Sequence, residues 1–160
     1  HRGVVTSLAW SPDGLRLLSS SDDETVRVWT TADGTSTLLE GHHYPVNGVA
    51  WSRDGGHIAT VAGDELRPTK GGETLWRDAA GAVVSSWTDH QRAALCAAFS
   101  GDGKLLVTGG LDDVALVYDL AENKLLGKYS GHQRPVNQLA FVPDQEVVVS
   151  IGGGRAKGGH

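Results

Sequence analysis

The chain has 160 residues, a formal net charge of −5, 39% apolar and 21% charged residues, 22 glycines and one cysteine. The acidic balance argues against general nucleic-acid binding, for which a basic surplus is expected, and the lone Cys96 excludes an internal disulfide framework. The longest apolar run, Ala93 to Phe99, is far shorter than the roughly 20 residues of a membrane helix, so no membrane partner is expected; no targeting segment is visible, though a missing N-terminus would hide one, and the compartment is left open with the cytoplasm favoured.

From the N-terminus, Val5 to Trp10 alternates apolar and small polar residues, and Ser11-Pro12-Asp13-Gly14 then supplies turn chemistry. Leu15 to Ser20 is a second β-compatible run, broken at Asp22-Asp23-Glu24, and Thr25 to Trp29 is a third, rich in β-branched and aromatic residues. The unit is an antiparallel meander, and Ser36 to Leu39 gives it a fourth, outer strand after the turn at Ala32-Asp33-Gly34. The pattern then recurs. Val46 to Trp51, His57 to Thr60, Glu73 to Trp76 and Val83 to Trp87 form a second unit. Its second and third strands are separated by an insertion within Glu65 to Gly72, counted as six residues because Asp64 precedes Trp76 by 12 where Asp23 precedes Trp29 by 6. A third, most regular unit runs through Phe99, Leu105 to Thr108, Ala115 to Tyr118 and Leu125 to Tyr129, and half of a fourth extends from His132 to about Ser150. No helical periodicity is present.

The period is explicit in the turns. Trp10-Ser11-Pro12-Asp13-Gly14 returns as Trp51-Ser52-Arg53-Asp54-Gly55, Phe99-Ser100-Gly101-Asp102-Gly103 and Phe141-Val142-Pro143-Asp144-Gln145, at spacings of 41, 48 and 42 residues. His1, His42, His90 and His132 each lie nine residues before those aromatics. Such self-similarity identifies a repeat protein.

In repeat length, in the Gly-His pairs Gly41-His42 and Gly131-His132, and in the exit Tyr118-Asp119, the sequence resembles the WD-repeat β-propeller family. Trp29-Thr30 and Trp76-Arg77 keep only the aromatic of the Trp-Asp exit. The resemblance implies an all-β fold of four-stranded antiparallel blades, about three and a half of them, as an incomplete part of a ring that the family favours as seven-bladed. Blades are expected at about 1–41, 42–89 and 90–131, with an incomplete one at 132–151 and an irregular Gly-rich tail at 152–160. The length reads as a fragment whose remaining blades belong to the same chain, or else as half of a ring closed by a second copy.

Each complete repeat carries a His, a Ser or Thr, an Asp and an aromatic at matching phases: His1, Ser19, Asp23, Trp29; His42, Thr60, Asp64, Trp76; His90, Thr108, Asp112, Tyr118. One set alone suggests a nucleophile, base and orienting acid. Three copies point instead to something every blade needs, and the resemblance implies a structural hydrogen-bonded tetrad in which Asp fixes His and Ser or Thr relays to the indole N–H. Tyr118 is expected to keep a weaker version. The histidines follow the repeat period rather than metal-ligand spacing, and Gly152 to Gly158 lacks the ending of a phosphate loop. No metal, cofactor or catalytic residue is therefore expected.

The resemblance implies a non-catalytic protein-interaction scaffold or adaptor. Alternatives are a sensor or regulatory propeller of a larger multidomain enzyme such as a kinase or ATPase, and, less favoured, a propeller enzyme. The loop face with the blade-two insertion bears Tyr44, Arg67, Lys70, Arg92 and Arg134, a basic rim on an acidic protein that would suit an acidic or phosphorylated partner segment. The plainer reading is that these side chains only solubilise the rim.

Overall fold

The computed structural model describes residues 1–67, 70–142, 145 and 147–153. Among them are 14 strands and no helix. Strands β1 (Val5–Trp10), β2 (Arg16–Ser21), β3 (Val26–Thr30) and β4 (Ser36–Leu39) pair in order as one antiparallel sheet. Strands β5 (Val46–Trp51), β6 (His57–Ala62), β7 (Gly72–Asp78) and β8 (Val83–His90) form a second, and β9 (Ala94–Phe99), β10 (Leu105–Gly110), β11 (Ala115–Asp119) and β12 (Lys124–Tyr129) a third. A hairpin of β13 (Val136–Phe141) and β14 (Val148–Gly152) begins a fourth. β14 thus runs through Gly152, one residue into the expected tail; 154–160 lie outside the described residues.

The turns explain the meanders. In the first blade the Ser11 hydroxyl donates to Asp13 Oδ1 at 2.5 Å while Gly14 N–H closes on the Ser11 carbonyl at 2.9 Å, with Gly14 at φ 70°. Ser52-Asp54-Gly55 and Ser100-Asp102-Gly103 repeat the arrangement. At the opposite end of the blades, the hairpins between the second and third strands close through Glu24 and Asp113, both left-handed, at φ 67° and 64°.

Blades pack face to face, with β1, β5, β9 and β13 side by side as the inner strands. Leu18 and Val26 of the first blade meet Val46, Val49, Ile58 and Ala62 of the second. Ala59 of the second meets Leu106, Leu116 and Tyr118 of the third. Burying a side chain of this size is worth about 1.5–3 kcal/mol, so the interfaces between blades, rather than any single sheet, carry the stability. Side-chain hydrogen bonds stitch neighbouring inner strands: Thr6 Oγ1 donates to the Val46 carbonyl at 2.5 Å, Asn47 Nδ2 to the Ala94 carbonyl at 2.9 Å, and the Cys96 thiol to the Val136 carbonyl at 3.4 Å. Burial pushes that thiol up to about 12, so Cys96 packs as a small hydrophobe.

One register differs, and it decides how the second blade must be read. Ser19 of β2 pairs with Arg27 of β3, and Thr108 of β10 with Leu116 of β11, each eight residues on. Thr60 of β6 pairs with Leu75 of β7, fifteen residues on. The insertion is therefore seven residues, not six. Paired residues point to the same side of a sheet and successive ones alternate, so a shift of one reverses the face. Trp29 and Tyr118 lie two residues beyond the pairing partner and share a face with Ser19 and Thr108; Trp76 lies only one beyond Leu75 and points to the other face.

Candidate functional site

The loops before each inner strand and the turns between second and third strands share one end of the blades, and the histidines join them. In all four repeats a His Nε2 meets a hydroxyl 18 residues later: His1 with Ser19 at 2.7 Å, His42 with Thr60 at 2.7 Å, His90 with Thr108 at 2.8 Å and His132 with Ser150 at 2.7 Å. The fourth pair falls in the half-repeat and was missed in the sequence, although the constant spacing could have found it. A carboxylate then takes Nδ1 and the next backbone N–H. Asp23 lies 3.1 Å from His1 Nδ1 and accepts from Arg2 N–H at 2.6 Å. Asp112 lies 3.0 Å from His90 Nδ1 and accepts from Gln91 N–H at 2.9 Å.

In the second blade this acid is not Asp64. Glu73 Oε2 lies 3.0 Å from His42 Nδ1 and accepts from His43 N–H at 3.0 Å, while Oε1 meets His43 Nδ1 at 2.9 Å. The physical reason is the turn. Asp23 and Asp112 sit in tight hairpins that fold back at Glu24 and Asp113; at Asp64 the chain opens into the insertion, so its carboxylate instead accepts from Leu66 N–H at 2.8 Å and pairs with Arg67 Nε at 3.2 Å. Glu73, on the first turnless stretch after the insertion, uses its longer side chain to reach the same histidine.

The aromatic member also varies. Trp29 Nε1 donates to Ser19 Oγ at 2.8 Å, completing a four-residue chain in the first blade. Trp76, turned to the other face, makes no such bond, and its indole nitrogen is buried without a partner. It packs instead against Trp87 (centroids 6.4 Å, 12° between planes), which in turn stacks on Tyr118 at 4.6 Å. Tyr118 lies near Thr108 and Asp89 without a well-directed hydrogen bond to either. Burial raises its pKa, and the Asp89 carboxylate adds to the effect. Arg77 takes the position the register assigns to the aromatic. It is 2% exposed, and its guanidinium donates to the Gly81 carbonyl at 2.9 Å and the Glu40 carbonyl at 2.6 Å, clamping the end of the first blade to the second. Burial without a carboxylate beside it pulls its pKa down.

The acids respond to burial and to their donors in opposite senses. Burial pushes Asp23 up, but hydrogen bonds from the Thr25 side chain and the Arg2 and Thr25 N–H groups outweigh it and hold the carboxyl at about 2. Burial likewise pushes Glu73 up, and the bonds from His42 and from the His43 N–H and ring bring it to about 2. Burial keeps His42 below the usual imidazole range despite Glu73. These sets are enclosed: the side chains of His42 and His90 are 1% and 0% exposed. No group of three His, Cys, Asp or Glu side chains able to hold a metal occurs among the described residues.

The rim residues divide. Arg67 and Lys70 are exposed on the insertion and Arg134 on the fourth leading loop. Arg92 is half-buried, its Nη1 donating to the Leu111 carbonyl at 2.9 Å, and Tyr44 packs against the core between the first two blades. Of the five expected surface residues, Arg67, Lys70 and Arg134 are thus exposed, while Arg92 and Tyr44 are partly engaged by the protein itself. Leu66, at the exposed turn of the insertion, was not singled out in the sequence.

Comparison with known proteins accords with this architecture. The family described as WD domain, G-beta repeat matches residues 1–30, 34–65, 81–119 and 123–157. Cell division cycle 20.6, cofactor of APC complex, from Arabidopsis thaliana is 30% identical over 168 residues, covering 99% of this chain and 37% of that protein. Pre-mRNA-processing factor 19 from Bos taurus is 26% identical over 144 residues, covering 88% and 27%. The solved structure of U3-55K superposes with a TM-score of 0.85 at 25% identity, covering 96% of this chain and 47% of that one. The chain thus spans about a third of the length of these curated relatives, and it belongs to the WD-repeat family of β-propellers.

Proposed function

We propose that this chain is a non-catalytic protein-interaction platform that holds a partner through the loop face bearing the blade-two insertion. The observation that carries the reading is the insertion itself: seven residues are added at one loop while the His–hydroxyl–carboxylate network beneath it is retained by moving the acid to Glu73. A graft that leaves its support intact suits recognition. The names of similar proteins agree with it, one being a cofactor of a complex. Catalysis fits poorly, because the His, hydroxyl and acid sets recur blade after blade and their histidines are enclosed. Arg67, Lys70 and Arg134 are exposed cations on this face, and they would pair with an acidic or phosphorylated segment of the partner. The family-like reading of His1, Ser19, Asp23 and Trp29, of His42 and Thr60 with Glu73, and of His90, Thr108 and Asp112 as structural networks belongs to the same proposal.

Triple reversal of Arg67, Lys70 and Arg134 to Glu tests the reading in a quantitative capture of partners, with Lys104→Glu on the opposite end of the blades as control. Partners retained by the control and lost by the triple variant are expected. Partners retained by both would refute the assignment of the face.

A further inference from the structure

We infer that the free edge of β14 is a docking site for an extended segment of a partner protein, which adds a third strand to the fourth sheet and carries a Trp six residues after a carboxylate. This edge is separate from the blade-two insertion, and its occupancy can be tested independently of the loop-face assignment.

In each complete blade the second strand is flanked on both sides, β2 by β1 and β3, β6 by β5 and β7, β10 by β9 and β11. β14 holds the same place beside β13, and among the described residues no strand pairs with its other edge. The backbone groups of such an edge are a template for a further strand. The side chains beside it are already arranged for one. His132 Nε2 meets Ser150 Oγ at 2.7 Å as His1 meets Ser19, and Ser19 goes on to accept the Trp29 indole N–H at 2.8 Å. Among the described residues no indole donates to Ser150, and no carboxylate meets His132 Nδ1, where Asp23, Glu73 and Asp112 serve the other three histidines. The bare backbone that lets the acid approach is nevertheless kept. A Cβ on Gly110 would stand 2.7 Å from His90 Nδ1 and 2.8 Å from Asp112 Oδ1, and a Cβ on Gly152 would stand 2.5 Å from His132 Nδ1.

A hollow of about 360 Å³ lies between the third blade and the hairpin, walled by Leu105, Val107, Val117 and Phe141, with Tyr129 and Ser150 also on its surface. Tyr129, 65% exposed, shows what fits it. Tyr129 pairs with Ala115, and Ala115 with Gly109 beside Thr108; Trp87 pairs with Thr74, and Thr74 with Val61 beside Thr60. The two rings therefore hold equivalent places, and Trp87 stacks at 4.6 Å on Tyr118, the third-strand aromatic of the next blade. A Trp on a strand added to β14, two residues beyond the partner of Ser150, would stack on Tyr129 in the same way and bring its indole N–H to Ser150. The spacing to the acid follows from the built blades, where Asp23 precedes Trp29 and Asp112 precedes Tyr118 by six residues. The stretch that follows β14 does not carry these groups at those phases: Gly154 corresponds to Asp23 and Asp112, and Lys157-Gly158-Gly159 to Val26-Arg27-Val28 and Ala115-Leu116-Val117. A partner's strand supplies both, with main-chain bonds to β14 giving affinity and the Tyr129 hollow giving selectivity.

A fluorescently labelled peptide copying residues 22–31, which holds Asp23 and Trp29 at the required spacing, serves as the probe and is titrated with the whole chain by fluorescence anisotropy. Saturable binding is expected, weakened about fivefold by Trp29→Phe or by Asp23→Asn in the peptide. Ser150→Ala in the chain should weaken the parent peptide by a similar factor and leave the Trp29→Phe peptide unaffected, whereas Tyr129→Ala should weaken both. Tyr129→Ala, at an exposed ring, keeps the test decisive if Ser150→Ala unfolds the hairpin. Arg67→Glu with Lys70→Glu should leave binding unchanged, which separates this edge from the loop face. No saturable binding, or binding indifferent to both Ser150→Ala and Tyr129→Ala, would overturn the site, and loss of binding in the Arg67 and Lys70 variant alone would return the peptide to the loop face. Dimerisation of the chain in sedimentation that is abolished by Tyr129→Ala and unaffected by the peptide would give the edge to a second copy and overturn the partner strand.

Discussion

Glu73 and Asp64 make opposite predictions for the second blade, and the difference is measurable. If Glu73 is the acid that secures His42, Glu73→Ala leaves a buried Nδ1–H without an acceptor and frees the His43 backbone N–H. An orphaned buried donor costs about 1–3 kcal/mol, and a bond to a charged acceptor sits in the upper part of that range. The exposed His43 ring adds little. A loss of about 2–3 kcal/mol is expected, equivalent to roughly 4–12 °C in melting temperature for a domain of this size. Asp64→Ala removes a pair to an Arg67 side chain that is 69% exposed, worth about 0–1 kcal/mol, and one turn bond at the surface. Thermal or urea unfolding of the two variants side by side separates them. Equal destabilisation, or a larger effect at Asp64, would refute the exchange of acids.

The same residue carries a pH signature. Glu73 titrates at 4.5 when free and at about 2 in the folded chain. Its folded pKa is depressed, so its stabilisation is present above pH 4.5 and is lost as pH falls from there towards about 2. Glu73→Gln removes the titration, so the stability gap between wild type and this variant should shrink across that window. His42, also depressed by burial, acts in the same direction at higher pH, its contribution being lost as pH falls below the ordinary 6.5. A gap that stays constant from pH 7 downwards through the window would exclude Glu73 as the titrating partner.

Three further predictions follow from the register and the networks. Trp29→Phe removes an indole bond to Ser19 whereas Trp76→Phe removes none, so the first should cost about 1 kcal/mol more than the second in denaturant unfolding; the reverse order would contradict the shifted register. Arg77→Ala should destabilise by about 2–4 kcal/mol because it opens a void and strips two carbonyls of their donor. Arg77→Met, which keeps the stem and removes the buried charge, should recover about half, and no recovery would show that the guanidinium bonds dominate. Asp112→Ala should cost about 2–3 kcal/mol through His90 Nδ1 and Gln91 N–H, and an unchanged melting temperature would remove Asp112 from the network.

Much of the fold was legible because the repeat states the same local chemistry several times. The Ser-x-Asp-Gly turns and the histidine phase placed nearly every strand, and the 18-residue spacing from His to hydroxyl survives in all four repeats. What the sequence hid lies downstream of the one insertion. Matching Asp64 and Trp76 to their counterparts by phase or by residue type presumes that the chain returns to the sheet in the same register. It returns one residue out of step, and a β-strand has no tolerance for that: the aromatic faces the next blade and Arg77 takes the face turned to the first blade. Nothing in the local composition of Glu73 to Arg77 announces the change, because Trp, Leu and Thr suit either face of a strand buried on both sides.

The shift also explains how the blade survives its own departure from the pattern. A tight hairpin couples two tasks, turning the chain and presenting the acid to the histidine, so lengthening it would ordinarily forfeit the network. In the second blade the tasks are divided. Glu73 on the strand takes the histidine, Asp64 on the turn takes the loop, and the displaced Trp76 finds its burial in a stack with Trp87 and Tyr118 across the next interface. The Trp76 indole forgoes a hydrogen bond in that exchange, at a cost of about 1–3 kcal/mol for an unpaired buried donor, offset in part by the aromatic contacts, worth about 0.5–1.5 kcal/mol each. The second blade therefore adds aromatic packing to its retained His42–Thr60–Glu73 network, where the first completes its chain of hydrogen bonds through Trp29. Trp87→Ala follows as the decisive perturbation: it should cost about 3–5 kcal/mol and loosen Trp76 and Tyr118 together, read as coupled changes in near-ultraviolet circular dichroism, whereas loss of signal from a single ring would show that the three do not act as one unit.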